Sequence, residues 1–340
     1  MIPAEPITEQ NKSLALGFIG VGWIGRNRME VLLRDTNSKA LMIAEPSEEN
    51  IKEAAKSAKT AKLASSSSEI FRNKHLDGVI IATPSAMHAE QAIEALTSGK
   101  SVFCQKPLGR TAAEVQSVVK AAEEADKLLA VDLSYRYTKA FQAVYNLIKS
   151  REIGDIYAAD LVFHNAYGPD KEWFYDIQKS GGGCVMDLGI HLMDLALWTL
   201  DFPEITEVKS HLYHQGQKLT SFNEHVEDFA SVSMTSEKDT HINLECSWNI
   251  SAGQDAVIEA RFYGTRGGAA FKNVNGSFYD FTAEKYIGTY SETLVTPPDD
   301  WSGRAGVVWA EALATGKGFD RESAEEFIKT TKILDRIYGR

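Results

Sequence analysis

Three ionisable residues lie at helical spacing within one apolar stretch of the sequence. Asp187, His191 and Asp194 follow the glycine run 181–183, and the residues between them are mostly apolar. Residues at i, i+4 and i+7 of a helix share one face, so we expect the three side chains to project together. Because an ionisable group on so apolar a helix costs free energy unless it is paired or used, this stretch is a candidate catalytic segment.

Two other interpretations of this segment remain open from the sequence alone. Asp187 could cap the helix while His191 is a hydrogen-bonded core histidine. A metal site would need further ligands, and no other histidine or cysteine pair in the sequence offers them at a suitable spacing. We therefore predict no bound metal.

A glycine-rich turn follows the first apolar strand of the chain. The segment 14–25, LALGFIGVGWIG, ends in Gly20-x-Gly22-x-x-Gly25, with Trp23 and Ile24 inside the turn and a helical pattern after it. In a dinucleotide-binding turn, the first glycine turns the chain, the second admits a pyrophosphate and the third lets the helix pack closely. The helix N-terminus then presents free N–H groups to the anion. The glycines alone fit a turn without a ligand equally well.

An acidic residue at the end of the next strand strengthens the nucleotide interpretation. The apolar strand 40–44 ends in Glu45, twenty residues after Gly25, where a carboxylate would bind the ribose hydroxyls of a dinucleotide. Glu45 would repel a 2′-phosphate, and Pro46 and Ser47 bring no cation to neutralise one. We therefore expect a dinucleotide cofactor, with NAD favoured over NADP.

Lys106 lies just beyond the predicted strand 101–104, at the sheet edge where the cofactor should bind. Pro107 restricts Lys106 to extended backbone and permits a cis peptide bond. The lysine could be a solvated surface residue or a phosphate contact. Beside a nicotinamide ring, its ammonium could instead hold a substrate oxygen and stabilise the alkoxide.

The composition is that of an ordinary globular protein. At 340 residues, 44% hydrophobic and 24% charged, the chain is long enough for two domains with full cores. Its net charge of −11 argues against non-specific binding to nucleic acid or to an anionic membrane, and its three cysteines indicate a reducing compartment. No signal segment or membrane span is evident, so we expect a soluble, cytoplasmic protein.

The order of the predicted elements indicates an α/β fold with two domains. Strands and helices alternate over 14–133, which predicts a doubly wound parallel sheet with its ligand at the carboxyl ends of the strands. In 134–340, period-two apolar patterns recur in four strands and predict an α+β domain with a large, mostly antiparallel open sheet. Residues 1–13 are expected to be a flexible tail, and the helix 321–338 can pack back on the first domain. The open sheet makes a homodimer or homotetramer a reasonable expectation.

Several short motifs occur in a characteristic order along the chain. They are the strand with Gly-x-Gly-x-x-Gly, Thr83-Pro84 followed by His88, Lys106-Pro107, and Gly-Gly-Gly-x₃-Asp187-x-Gly-x-His191-x₂-Asp194. Together they resemble the glucose–fructose oxidoreductase / inositol dehydrogenase / rhizopine-catabolism (Gfo/Idh/MocA) family over nearly the whole chain. The resemblance implies a Rossmann domain that binds NAD(P), followed by a domain whose open antiparallel sheet often mediates dimers or tetramers.

The resemblance also implies roles for the matching residues. Lys106 matches the lysine of the family's Glu-Lys-Pro motif, which contacts nicotinamide and substrate, and His191 matches the general base that takes the hydroxyl proton. Asp187 matches the carboxylate that positions substrate and base, Asp194 one that can bind a sugar hydroxyl, and Tyr135 a frequent substrate contact. We expect cofactor contacts from Gly20, Gly22, Trp23, Ile24, Gly25, Glu45, Thr83, Pro84, His88, Gln105 and Lys106.

Two positions are less determined by the sequence. Gln105 stands where the family's Glu-Lys-Pro motif has glutamate, so the charge beside Lys106 is lost and the hydrogen-bond partner of the lysine is left open. Trp173, in the aromatic segment 167–175, could stack on a sugar ring or be an ordinary core residue.

These motifs predict an NAD(P)-dependent oxidoreductase that transfers a hydride between a nicotinamide cofactor and a secondary alcohol or ketone of a sugar, cyclitol or sugar derivative. Two other classes use the same fold. An NAD-retaining glycosidase would oxidise its substrate transiently, and a non-catalytic dinucleotide-sensing regulator would keep the fold without the chemistry. The presence of Lys106, Asp187 and His191 argues against the regulator.

Overall fold

The computed structural model describes residues 13–220 and 225–340. Only Ser13 of the predicted tail 1–13 falls within those ranges, so that prediction lies outside the described residues. The fold is built on two sheets, one of six strands and one of nine.

The first sheet is parallel throughout. Its strands are β1 (Leu14–Ile19), β2 (Ser38–Ala44), β3 (Lys62–Leu63), β4 (Gly78–Ile81), β5 (Ser101–Cys104) and β6 (Leu129–Val131). The helices between them are α1 (Trp23–Asp35), α2 (Glu48–Ala54), α3 (Ser67–Arg72), α4 (Ser85–Thr97) and α5 (Ala112–Ala125). The strand order β3-β2-β1-β4-β5-β6 reverses between β1 and β4, which is where an open parallel sheet binds its ligand. The predicted doubly wound parallel sheet is confirmed.

The second sheet is antiparallel except between β7 and β11. Its strands are β7 (Ile156–Asn165), β8 (Ile205–His214), β9 (Gln217–Lys218), β10 (Phe229–Ser236), β11 (His241–Ser247), β12 (Ala256–Gly264), β13 (Gly268–Asn273), β14 (Phe281–Ile287) and β15 (Tyr290–Val295). They lie in the order β15-β14-β13-β12-β7-β11-β10-β8-β9. The predicted antiparallel open sheet is confirmed, and it extends beyond the four strands that the period-two pattern identified.

One face of the second sheet shares its core with helices α6 (Lys139–Lys149) and α8 (Ile190–Thr199). Between β7 and α8 the chain forms a short 3₁₀ helix (Glu172–Tyr175), one helical turn, α7 (Ile177–Ser180), and a π-helical turn (Val185–Gly189) that runs directly into α8. A hydrogen bond of a π-helix spans one residue more than that of an α-helix, so this turn changes the direction in which later side chains project.

Helices α9 (Arg304–Ala314) and α10 (Arg321–Tyr338) return to the first domain. The apolar face of α9 joins the core of the parallel sheet, where the Trp309 and Phe103 ring centroids are 5.8 Å apart. Ala324 and Phe327 of α10 also lie in the core of the first domain, whereas Leu334 and Ile337 lie in the core of the second. Helix α10 therefore belongs to both cores.

Hydropathy gives one further result about the described part of the chain. No helix in it is both long and apolar enough to cross a membrane.

We expect Trp309→Ala to lower the free energy of unfolding by about 3–5 kcal/mol, because it removes a large buried ring from the interface of α9 with the parallel sheet. Val308 is the matched control, since it lies next to Trp309 on α9 but is exposed, and Val308→Ala should change stability by less than about 0.5 kcal/mol. Urea denaturation followed by circular dichroism measures both. Equal effects of the two substitutions would contradict this role of α9.

Candidate active site

A cavity of about 970 Å³ lies between the two domains. Its walls come from the loops after β1, β4, β5 and β6 on one side, and from residues within 169–174 and 180–191 and near 279 and 301 on the other. The carboxyl ends of the parallel strands thus face the second domain across this cavity, as the strand order requires.

The glycine turn is shaped by close backbone approaches. A Cβ on Gly20 would lie 2.5 Å from the carbonyl oxygen of Ala82, and one on Gly25 would lie 2.1 Å from that of Gly20. Gly20 also has a φ of +80°, which side chains disfavour. A Cβ on Gly22, in contrast, would meet only the Asn50 amide, at 3.9 Å.

The start of α1 is open to an anion. The helix has no acidic residue in its first turn and no side chain that caps its N-terminus, so its first N–H groups are available to a ligand. Gly22, Trp23 and Ile24 line the cavity there. Open space at Gly22 beside free N–H groups fits the pyrophosphate of a dinucleotide.

Glu45 lies at the end of β2 and is held against the glycine turn. Its carboxylate accepts hydrogen bonds from the N–H groups of Val21, at 2.8 Å, and Ser47, at 3.0 Å, and from the Asn50 amide, at 3.3 Å. Glu45 does not line the cavity itself, but Asn50 does. The carboxylate is only partly buried and is fixed next to the turn, in contact with a residue of the cavity wall.

His88 connects two loops of the cavity wall. It is buried in α4, with its ring nitrogens each 2.7 Å from a carbonyl oxygen, Nδ1 from that of Pro107 and Nε2 from that of Thr83. Burial lowers the pKa of His88. Thr83, Pro84 and His88 all lie at the cavity, and the Lys106–Pro107 peptide is cis.

Gln105 is joined to a buried ionic network. Its amide donates to the Asp132 carboxylate, which also accepts from the Arg28 guanidinium at 2.5 Å and from the Ser134 hydroxyl. All four side chains are buried and line the cavity. Glutamate at position 105 would place a second carboxylate against Asp132, whereas the glutamine amide donates a hydrogen bond to it. The departure at Gln105 thus has a local explanation in Asp132.

Lys106 and Asp187 form an ion pair across the cavity. The ammonium of Lys106 lies 2.7 Å from Oδ1 of Asp187 and 2.6 Å from its main-chain carbonyl oxygen. The Trp248 indole donates to Oδ2 at 3.1 Å, so both carboxylate oxygens are engaged. Each side chain of the pair is 16% exposed, which leaves both within reach of a bound substrate.

His191 lies beside this pair as a neutral imidazole. Burial, followed by the positive charges of Lys106 and Arg28, holds the pKa of His191 well below its usual value. Within the described residues, Nδ1 is buried and has no hydrogen-bond partner. The Tyr135 ring lies 4.9 Å from the imidazole, centroid to centroid. A neutral imidazole with an unpaired nitrogen can accept a proton.

Aromatic side chains form the outer part of the cavity. Trp173 lines it and stacks on Phe174 with the ring centroids 3.8 Å apart. Tyr135, which is buried and whose pKa burial raises, packs on Trp301. Tyr279 also lines the wall. Flat aromatic faces of this kind can stack on a sugar ring.

Contrary to the prediction, Asp194 does not join Asp187 and His191 at the cavity. Asp194 is buried away from the cavity and receives two hydrogen bonds from the Arg136 guanidinium, at 2.6 and 2.7 Å. Arg136 also pairs with Glu326 of α10 at 2.8 Å. His191 and Asp194 both lie in α8, so the helical spacing between them holds, but Asp194 is almost one turn farther along the helix and Arg136 engages its carboxylate there.

The structure thus brings most of the predicted site residues to one cavity and adds others. The additions that the sequence analysis missed are Arg28, Asn50, Asp132, Ser134, Tyr279 and Trp301. Asp132 had a usable signal, because it directly follows a strand of the parallel sheet. Tyr279 and Trp301 had none, since they come from irregular chain far from any motif. Among the described residues, no group of three histidine, cysteine or acidic side chains is arranged to hold a metal ion.

The sequence matches two family models, which together cover most of the chain. Residues 14–133 match the oxidoreductase family with an NAD-binding Rossmann fold, and residues 141–270 match the GFO/IDH/MocA C-terminal domain. An uncharacterized oxidoreductase, YrbE, from Bacillus subtilis is 26% identical over 301 residues, which cover 84% of this chain and 85% of that protein. An inositol 2-dehydrogenase from Acidothermus cellulolyticus is 24% identical over 330 residues, which cover 89% and 92%.

Two solved structures share the fold over nearly their whole length. KijD10, a 3-ketoreductase from Actinomadura kijaniata in complex with NADP and TDP-benzene, has a TM-score of 0.82 at 19% identity, covering 96% of this chain and 98% of that one. GenD2 from gentamicin A biosynthesis, in complex with NAD, has a TM-score of 0.81 at 22% identity, covering 100% and 98%. At these identities the likeness shows the fold.

The environment of His191 can be tested by titration. We expect the His191 imidazole to titrate below its ordinary pKa of 6.5, and Lys106→Met to raise that pKa because a neighbouring positive charge is lost. Lys179 is exposed and pairs with Asp176, away from the cavity, so Lys179→Met should leave the pKa of His191 unchanged. Histidine ring signals followed by NMR against pH measure all three proteins. A His191 pKa at or above its ordinary value would contradict this description of the site.

Proposed function

The chain belongs to the Gfo/Idh/MocA oxidoreductase family with an NAD-binding Rossmann domain, and on that premise we propose that it oxidises a secondary alcohol of a sugar, cyclitol or sugar derivative, or reduces the corresponding ketone. The observation that carries the proposal is the Lys106–Asp187 ion pair beside a neutral His191, in a cavity that begins at the glycine turn. A cation, a base and a dinucleotide-binding turn are the parts that such a reaction needs.

The three side chains divide the work of moving a proton. His191 accepts the hydroxyl proton of the alcohol on its neutral imidazole. The ammonium of Lys106 donates a hydrogen bond to the same oxygen and stabilises the negative charge that develops there. Asp187, held by Lys106 and Trp248, fixes the ammonium in place. When bound at the glycine turn, a nicotinamide cofactor supplies the acceptor for the hydride that leaves the carbinol carbon.

The substrate class is inferred from the cavity wall and from the relatives. Aromatic faces at Trp173, Tyr279 and Trp301 suit stacking on the apolar face of a sugar or cyclitol ring. Two of the similar proteins bear the names inositol 2-dehydrogenase and 3-ketoreductase, which is consistent with polyols or sugar derivatives as substrates.

NAD is the proposed cofactor, because Glu45 is fixed next to the glycine turn and would repel a 2′-phosphate. Glu45→Ser should weaken NAD on the order of tenfold through a lost charged hydrogen bond, and should raise the relative use of NADP. Glu48→Ser removes the same charge from an exposed position outside the cavity and serves as the control. The readout is kcat/KM for each cofactor; an unchanged NAD-to-NADP ratio in Glu45→Ser would remove Glu45 from cofactor selection.

The reaction itself is tested by a spectrophotometric screen of cyclitols, aldoses, ketoses and sugar acids with NAD and with NADP. We expect a substrate-dependent rise in reduced nicotinamide, and a loss of about 10²–10⁴-fold in turnover for both His191→Ala and Lys106→Met. Cofactor affinity, measured by calorimetry, should largely survive in both variants, and Lys179→Met should behave as the wild type.

Near-normal turnover in either variant would remove that residue from the mechanism. If no compound of the panel reduces the cofactor, while the purified protein retains NAD and hydrolyses glycosides, the protein is a glycosidase and not a dehydrogenase. Cofactor binding without either activity would favour a regulator.

A further inference from the structure

A buried carboxylate outside the cavity holds the segment that carries the candidate catalytic residues. Glu227 precedes β10 and is fully buried. Its Oε2 accepts the N–H of Gly183 at 2.9 Å, and its Oε1 accepts the N–H of Val185 at 2.9 Å. The main-chain carbonyl of Glu227 also accepts the N–H of Cys184, at 3.0 Å. One residue therefore satisfies three consecutive N–H groups where the π-helical turn begins.

The packing at this point leaves no room for a side chain at position 183. A Cβ on Gly183 would lie 1.9 Å from the carbonyl oxygen of Glu227, so only glycine permits the approach. From the opposite side, the Tyr338 hydroxyl of α10 donates to Oε1 of Glu227 at 2.9 Å and accepts the N–H of Met186 at 3.1 Å. Glu227 and Tyr338 thus bind the backbone of residues 183–186 between β10 and α10.

Two routes connect Glu227 with Asp187. The first is the turn itself, in which the N–H of Asp187 bonds to the carbonyl of Gly183 at 3.0 Å. The second passes through Asp228, whose carbonyl accepts the Trp248 N–H at 2.7 Å, and the Trp248 indole donates to the Asp187 carboxylate. Both the main chain and the carboxylate of Asp187 therefore depend on where Glu227 holds its neighbours.

We propose that Glu227 is a positioning residue for the reaction proposed above, on which this inference rests: its carboxylate fixes residues 183–187 so that Asp187 meets Lys106 and His191 faces the substrate. Glu227 touches neither the cavity nor Lys106, and it acts only through the segment that it holds. Misplacement of reacting groups by about 1 Å can cost on the order of 100-fold in rate. Replacing a side chain with this role should therefore lower turnover measurably.

The role implies a pH dependence. Burial raises the pKa of Glu227 to about 7, against the hydrogen bonds that favour its charged form. The titratable groups that face it are Tyr338 of α10, Cys184 of the held segment, Cys246 of β11 and the neighbouring Asp228; none of them is a cation. The carboxylate accepts both N–H groups above this pKa, whereas a protonated carboxyl turns one oxygen into a donor. Turnover should therefore fall as the pH drops through about 7.

The test is Glu227→Gln, which keeps the shape of the side chain but offers a single acceptor oxygen. We expect kcat to fall on the order of tenfold with little change in cofactor KM, and we expect the decline of activity near pH 7 to disappear. What remains is an acid limb at lower pH that belongs to His191, whose pKa is held well below its usual value. Glu284→Gln, the same change on β14 at a carboxylate paired with Lys272, should retain wild-type kcat and the wild-type pH profile.

A second measurement does not depend on turnover. The indole N–H signal of Trp248, identified in NMR spectra by its loss in Trp248→Phe, reports the position of the Asp187 carboxylate. It should shift in Glu227→Gln and stay in place in Glu284→Gln. A protein without dehydrogenase activity would defeat the proposed function, while a shifted Trp248 signal would still support the positioning role of Glu227.

If Glu227→Gln fails to fold, Tyr338→Phe replaces it, because it removes only the hydroxyl that donates to Glu227 and accepts from Met186. We expect a smaller loss of kcat in the same direction and a shift of the Trp248 signal. Wild-type kcat, an unchanged pH profile and an unmoved Trp248 signal in the folded variants would overturn the proposal.

Discussion

The ion pair between Lys106 and Asp187 is the interaction on which the site depends, because its two members come from different domains. Lys106 follows a strand of the parallel sheet, and Asp187 lies in the π-helical turn above the antiparallel sheet. An isolated ammonium or carboxylate in so enclosed a place would be costly, whereas the pair, supported by the Trp248 indole, satisfies both. The same ammonium helps to keep His191 neutral. This one ion pair therefore joins the two domains, fixes the Asp187 carboxylate and helps to keep His191 in the neutral form that can accept a proton.

Much of this arrangement could be predicted from the sequence. The glycine turn, the strand that ends in Glu45 and the alternation of strands and helices carry local signals, because each depends on backbone geometry or on a buried face within a few residues. Those signals gave the parallel sheet, the cavity edge and the position of Lys106. The glycines at 20 and 25 are required by backbone approaches of 2.5 and 2.1 Å, which is why that motif is readable without a structure.

Other features depend on partners far away in the sequence and could not be predicted. Asp194 has the spacing of a third site residue, but its carboxylate pairs with Arg136, which is far away in the sequence. The glutamine at position 105 is explained only by the neighbouring Asp132 carboxylate, to which its amide donates a hydrogen bond. Five strands of the second sheet escaped the period-two pattern for two reasons. Strands β8, β9 and β15 lie at or near the edges and are largely exposed, whereas β13 and β14 begin with consecutive buried residues, so neither group alternates strictly. Long-range pairing decides each of these cases.

Because α9 and α10 return to the first domain, the boundary between the domains in the sequence differs from their boundary in the folded structure. Trp309 and Phe327 come late in the chain, yet they complete the core that begins at residue 14. A fragment cut after residue 133 would expose to water the apolar surface on which both rings pack. A cut before α9 would remove one of the helices that cover the parallel sheet. Both ends of the chain therefore contribute to the core of the first domain. Neither domain is a module that could be transferred alone into another protein.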